Sequence, residues 1–234
     1  RRRPRRNVAI DRYKRVTVAG KPFFPVGIYT GTANSNMIER LGSSPFNTLM
    51  AYHGLNREML DWCHQNDLMA NVHAGDYQTS EKDIAKKVSD LKNHPAVLAW
   101  LVNDEKPVSA MPQLKTRYRT VLDNDGGHPA WAVLYQVDQI REYIGTCDVI
   151  GSDPYPVPHE SLSWVRKSTE KARKGTFGAL SLWQTSQIFD WAAYKTKAVP
   201  GTDVSKYRAP TLAEIKAMAW LEIAGGANAI FMYS

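Results

Sequence analysis

The chain has 234 residues, 43% of them apolar and 23% charged, which suits one large domain with a sizeable buried core. That balance excludes whole-chain disorder, collagen and coiled coil, and no apolar run reaches the ~18 residues that a membrane helix requires. The net charge is +7, but Arg1, Arg2, Arg3, Arg5 and Arg6 supply five of those charges and leave +2 for the rest.

No basic motif interleaved with aromatics recurs beyond the arginine run, so nucleic-acid binding is not expected. Residues 1–15 read as a basic tail and residues 16–234 as the folded domain. Arg3-Pro4-Arg5-Arg6 also resembles a site cut by furin-type processing proteases, which points to a secreted or extracellular protein. Cys63 and Cys147 are the only cysteines. They are too few for a disulfide framework, lack CxxC spacing, and read as small core residues.

In chain order, Val16-Thr17-Val18 and Phe23-Phe24-Pro25-Val26 flank the polar turn Ala19-Gly20-Lys21-Pro22, a hairpin leading into the first buried run. Strand-like runs then follow at Val26 to Tyr29, Phe46 to Tyr52, Leu68 to His73, Val97 to Val102, Ala130 to Tyr135, Val149 to Ser152, Leu180 to Gln184 and Ala229 to Tyr233. Helical spacing fills the intervals. Ser80 and Asp83 open a segment with Ile84, Val88 and Leu91 on one face, and Leu114, Tyr118 and Val121 repeat the spacing before Asn124-Asp125-Gly126-Gly127. Thr211 and Glu214 form a capping box ahead of Ile215, Met218 and Leu221, and Gly225-Gly226 supplies a left-handed exit.

Eight nearly continuous apolar strands alternating with helices predict an α/β fold, a closed (β/α)8 TIM barrel with an N-terminal hairpin. An open doubly wound sheet fits less well, because no GxGxxG follows the first strand. The eighth strand ends at Ser234 with no eighth helix after it. The expectation is a fragment of a longer precursor, or a protein partner covering strands eight and one.

In such a barrel the site lies at the C-terminal strand ends. Reading those ends gives Tyr29, His53, His73, Asn103, Glu105, Tyr135, Asp153, Tyr155, Trp183, Gln184 and Tyr233, with Tyr52, Asp76, Asp104 and Gln136 beside them. Aromatic faces mixed with carboxylates and amides suit a sugar, whose C–H face stacks on rings while its hydroxyls need donors and acceptors. His53 and His73 with a carboxylate could ligate a metal, but neither HxH nor HExxH is present, and sugar contact is preferred. No cofactor or metal is expected. The long stretch 186–210 carries Phe189, Trp191, Tyr194 and Tyr207, as a lid or binding loop would.

Several motifs carry a family resemblance. Gly20-Lys21-Pro22-Phe23-Phe24-Pro25-Val26-Gly27 resembles the leading hairpin and first strand of clan-A-type glycoside hydrolases, the barrel group of β-galactosidases and cellulases. The segment His94 to Pro107, with Asn103-Asp104-Glu105, is similar to their fourth strand, which ends on the acid/base glutamate. Asp148 to Pro156 resembles strand six of poorly characterised relatives, and Thr211 to Ser234 resembles the last helix and strand.

The resemblance implies Glu105 as general acid/base and a glutamate nucleophile ending strand seven. Strand seven reads Leu180-Ser181-Leu182-Trp183-Gln184-Thr185 and has no carboxylate; Gln184 has the shape of Glu without its charge. Asp104 also intervenes in the usual Asn-Glu pair. Asp153 is then the second carboxylate, with Asp76 and Asp104 as poorer ones. Two functions follow from the resemblance: a glycoside hydrolase using Glu105 and Asp153, or a catalytically inactive barrel kept as a carbohydrate-binding or structural module in a larger extracellular assembly.

Overall fold

The computed structural model describes residues 8–199, 201 and 203–234; the arginine run lies outside the described residues. Three short strands, β1 (Val8–Ile10), β2 (Val16–Val18) and β3 (Lys21–Phe23), form an antiparallel sheet in that order. Val18 pairs with Lys21 across Ala19 and Gly20, both at positive φ, so the hairpin turn is tighter than the sequence suggests. Val8–Ile10, placed in the tail by sequence, pairs with β2 instead. Val8 and Val16 are fully buried against the barrel interior, and that burial holds the strand.

Eight parallel strands close the barrel: β4 (Val26–Thr32), β5 (Thr48–His53), β6 (Met69–His73), β7 (Val97–Asp104), β8 (Ala130–Leu134), β9 (Val149–Ser152), β10 (Ser181–Gln187) and β11 (Ala229–Tyr233). The (β/α)8 architecture expected from the alternation is the one observed. The helices are α1 (Ser35–Gly42), α2 (Arg57–Gln65), α3 (Glu81–Leu91), α4 (Met111–Asn124), α5 (Ser163–Gly175), α6 (Trp191–Ala198) and α7 (Leu212–Gly225). A 3₁₀ segment, Val137–Tyr143, stands where a helix would join β8 to β9. No described helix is long and apolar enough to cross a membrane.

The caps follow the sequence signals. Ser80 accepts from Asp83 N, and Thr211 and Glu214 make a reciprocal capping box. Gly226 ends α7 at φ 104, a left-handed exit that a side chain would strain.

The barrel interior is filled by rings. Trp131 lies 4.7 Å from Phe231 and 5.7 Å from Trp183, centroid to centroid. At Gly151 a Cβ would sit 1.7 Å from Trp183 O, so only glycine lets β9 and β10 approach there. The outer core lies between strands and helices, around Ile38, Leu60, Val88, Trp100 and Leu182. On the outer faces of β11 and β4, Met232, Val26 and Ile28 are only partly buried. A groove of about 600 Å³ beside them is lined by Ile28, Met37, Leu41 and Phe46. On α7, Leu212 and Trp220 are exposed.

Candidate active site

The sequence ends strand seven near Gln184, but β10 runs to Gln187, where it still pairs with Tyr233 of β11. Gln184 and Gln187 hold this extension through side-chain hydrogen bonds, while the Thr185 and Ser186 hydroxyls are buried with no partner among the described residues. Alternation then sorts the strand: Trp183 belongs to the interior cluster and Leu182 to the outer one. Gln184 therefore points outward, away from the mouth. Its Oε1 accepts from Ser152 N at 2.7 Å, and its Nε2 donates to Ser152 Oγ and to Thr169 Oγ1 of α5, both at 2.8 Å. It is a fully buried link between β9, β10 and α5, and its side chain does not line the cleft assigned to it by sequence. Trp183, also fully buried, donates to Ser181 Oγ at 3.1 Å. It fills the barrel beneath the mouth and takes no part in the pocket wall.

The strand-end amide is Gln187, which sequence reasoning passed over. It spans the backbone of Val157, accepting from its N and donating to its O, both at 2.9 Å, and also donates to Phe189 O at 3.1 Å. One buried amide thus pins the loop after β9 to the loop after β10. The unbroken polar run Gln184-Thr185-Ser186-Gln187 reads as loop in sequence and gives no strand signal.

Above this clamp, Glu105, Asp153, Tyr155, Tyr135 and Tyr233 come together in one cavity of about 370 Å³ at the C-terminal mouth. Tyr52 and Asp104 complete its floor, and Trp164, Phe189, Trp191 and Tyr194 its wall. Phe189, Trp191 and Tyr194 come from the long loop after β10, which folds into α6 and packs its rings inward. Tyr155 stacks on Tyr233 at 5.8 Å and 21°, with Phe189 edge-on to Tyr155 at 4.9 Å. Trp164, at the start of α5, carried no signal in the sequence, since one tryptophan on a helix face is ordinarily packing.

Glu105 follows β7 directly and holds φ at 55 while its N still donates to Val133 O at 2.8 Å. A left-handed glutamate at a strand end is costly and re-aims the side chain. Asp153, at the end of β9, is buried, and its Oδ1 has no hydrogen-bond donor among the described residues. Its carboxyl is in contact with that of Glu105. Two carboxylates offer only acceptors, so their closeness favours uptake of a proton. Burial first, then the charges of Glu105 and Asp104, push the Asp153 carboxyl well above its ordinary range. Burial therefore makes Asp153 a carboxyl with a raised affinity for a proton.

Asp104 sits beside this pair and is fastened by two phenols, Tyr29 Oη at 3.1 Å and Tyr52 Oη at 2.7 Å. Burial raises its carboxyl while the tyrosine bonds lower it. Burial and the Asp104 charge in turn keep both phenols protonated, far above the ordinary tyrosine range. Tyr29 is thus a buried support beneath the pocket.

The remaining expected residues lie to one side. Asn103 is buried, accepts from Lys106 N at 3.1 Å, and shares a smaller cavity with His73, Asp104 and Arg117. The Arg117 guanidinium donates to Gly75 O and Asp76 O, fixing the loop after β6. His73 packs edge-on against Tyr52 at 5.8 Å; burial, with Lys87 and Arg117 nearby, lowers its imidazole to about 4. His53 is exposed and belongs to a separate cavity of about 540 Å³ beside α3, with Lys86 and Lys87. It is not brought to the carboxyls.

With this geometry the chain can be set against known proteins. Over 98% of its length it superposes on a β-glucuronidase from an uncultured Clostridium, TM-score 0.64 at 11% identity, covering 46% of that protein. A Bacteroides fragilis protein described as a β-galactosidase gives TM-score 0.70 at 13% identity over 97% of this chain and 38% of that one. A Thermobacillus composti GH10 xylanase gives 0.61 at 11% identity, over 90% and 84%. The fold is a closed (β/α)8 barrel of the kind these glycoside hydrolases share. At such identities the likeness establishes the fold alone, and the chain spans less than half the length of the first two proteins. No family model matches the chain, and no curated protein matches it.

Proposed function

We propose that this barrel binds carbohydrate in its mouth and hydrolyses glycosidic bonds, with Asp153 as proton donor and Glu105 as basic partner. The observation that carries this reading is a buried carboxyl, Asp153, beside an exposed one, Glu105, inside an aromatic-walled cavity at the barrel's C-terminal end. The glycosidase names of the structural neighbours support it.

The chemistry follows from environment. Asp153 passes its proton to the leaving oxygen as the glycosidic bond breaks, and Glu105 takes a proton from the attacking water. The direct carboxyl contact then returns that proton from Glu105 to Asp153 and resets the pair. Such a step needs the carboxyls about 6.5 to 9.5 Å apart, so substrate must part them. Glu105, exposed and at the head of a loop, is the one free to move.

A second reading, a binder without turnover, is favoured by a separate observation. Among the described residues β10 carries no carboxylate, and both its glutamines are locked in structural bonds. Calorimetry and reducing-end release on a panel of oligosaccharides test the two together. Turnover lost in Asp153→Asn with binding retained supports hydrolysis; binding without turnover in the unmodified chain supports the binder; neither would overturn both.

We also propose that a further polypeptide segment covers the groove beside β11 and β4, because Met232 and Ile28 on the outer faces of those strands are only partly buried and Trp220 and Leu212 of α7 are exposed. Exposed apolar patches of several hundred Å² usually mark interfaces. Self-association of the isolated 234-residue chain in sedimentation, relieved by Trp220→Lys, is the expected result; a monomer at all concentrations would contradict it.

A further inference from the structure

The mouth cavity is one-sided in charge. Asp104, Glu105 and Asp153 line it, every other lining side chain is aromatic, and among the described residues no Lys, Arg or His does so. Lys106 lies over the Tyr77 ring at 4.9 Å and Lys195 over the Trp191 ring at 5.6 Å, and neither side chain lines the cavity. Three carboxyls share this small cavity, and buried Asp153 Oδ1 has no donor among the described residues. Burial and the neighbouring carboxyls favour uptake of a proton at Asp153.

A ligand cation would relieve it better, because it supplies donors to Asp153 and Glu105 at once and meets the negative faces of the surrounding rings. A bare metal ion is a poor fit, since among the described residues no three His, Cys, Asp or Glu side chains are placed to hold one. A polyatomic ammonium on an apolar frame fits both the carboxyl floor and the ring wall. We propose that the preferred ligand is a sugar bearing a free, protonated amine, a 2-amino-2-deoxy glycoside, whose ammonium replaces the proton between Asp153 and Glu105. This inference rests on the carbohydrate-binding reading above and narrows its ligand class; with the proton displaced, Asp153 has none to give a leaving group, so the amino sugar is held in the cavity and not cleaved there. A neutral sugar would leave the carboxyl pair to its proton, whereas the amino sugar displaces that proton into solvent.

The test is calorimetric titration of the 234-residue chain at pH 6.5 with short β-linked oligomers of glucosamine, of N-acetylglucosamine and of glucose, repeated in two buffers of different ionisation enthalpy. The glucosamine oligomer should bind at least about tenfold more tightly than the other two, with proton release visible as a buffer-dependent heat. In Asp153→Asn, with an unchanged thermal melt, the preference and the proton release should both disappear while residual binding to the rings persists. If Asp153→Asn fails to fold, Glu105→Gln serves in its place. Equal affinity for all three oligomers would overturn the amine inference and leave the carbohydrate reading standing. No binding of any oligomer would overturn both, as would tight binding of methylammonium with no oligomer bound at all.

Discussion

Glu222 offers a test that depends on the packing of the barrel and not on its chemistry. It lies on α7, fully buried against β10, and neither carboxyl oxygen has a hydrogen-bond partner among the described residues, although the Ser186 hydroxyl is the polar group beside it. Burial pushes its carboxyl up to about 8 from an ordinary 4.5. Such a displacement corresponds to a difference of roughly 5 kcal/mol between the two protonation states, at about 1.4 kcal/mol per pH unit. Because the folded-state value is raised, the folded chain holds more protons than the unfolded one between the two values. The contribution is therefore fully present below pH 4.5, is lost progressively as pH rises, and is gone above about 8. Urea unfolding at pH 5, 7 and 9 should show a stability decline of a few kcal/mol, and Glu222→Gln should flatten it by a similar amount. His73, lowered to about 4, works in the opposite direction between 4 and 6.5 and is common to both proteins, so it cancels in the difference. Parallel pH profiles for the two proteins would refute the claim that this carboxyl is buried and neutral.

Two further substitutions probe the site. Gln184→Glu, which the bare sequence suggests as a way to restore a nucleophile, should give no new turnover. It should lower stability by about 2 to 4 kcal/mol in denaturant melts, because a carboxylate there loses two donors and is buried in the strand–helix layer. Tyr52→Phe removes the 2.7 Å bond to Asp104. It should cost about 1 to 2 kcal/mol and move the Asp104 carboxyl resonance to titrate at higher pH, as carbon-detected NMR can follow.

How far the sequence could be read depends on which interaction decides each feature. Barrel strands were legible because they are buried on both faces and so form apolar runs, and the caps at Ser80 and Thr211 were legible because they are local bonds. The end of β10 was not, since Thr185, Ser186 and Gln187 look like loop until long-range pairing with β11 places them. The same error of three residues moved Gln184 from the outer layer to the cleft. Glu105 and Asp153 could each be located at a strand end, but their contact depends on the positive φ at Glu105 and the depth of Asp153. Neither leaves a mark in one-dimensional order. Trp164 and the inward rings of α6 likewise become pocket walls only after the loop folds back.

The central claim is that carbohydrate enters the mouth cavity and meets the carboxyl pair there. The most direct measurement is a crystal structure of the chain soaked with an oligosaccharide that calorimetry has shown to bind. The account predicts one sugar ring stacked between the Tyr155–Tyr233 pair and the Trp191 side, with a polar atom within hydrogen-bond distance of both Glu105 and Asp153. Sugar density instead in the separate cavity of His53, Lys86 and Lys87, with the Glu105–Asp153 contact intact, would contradict it.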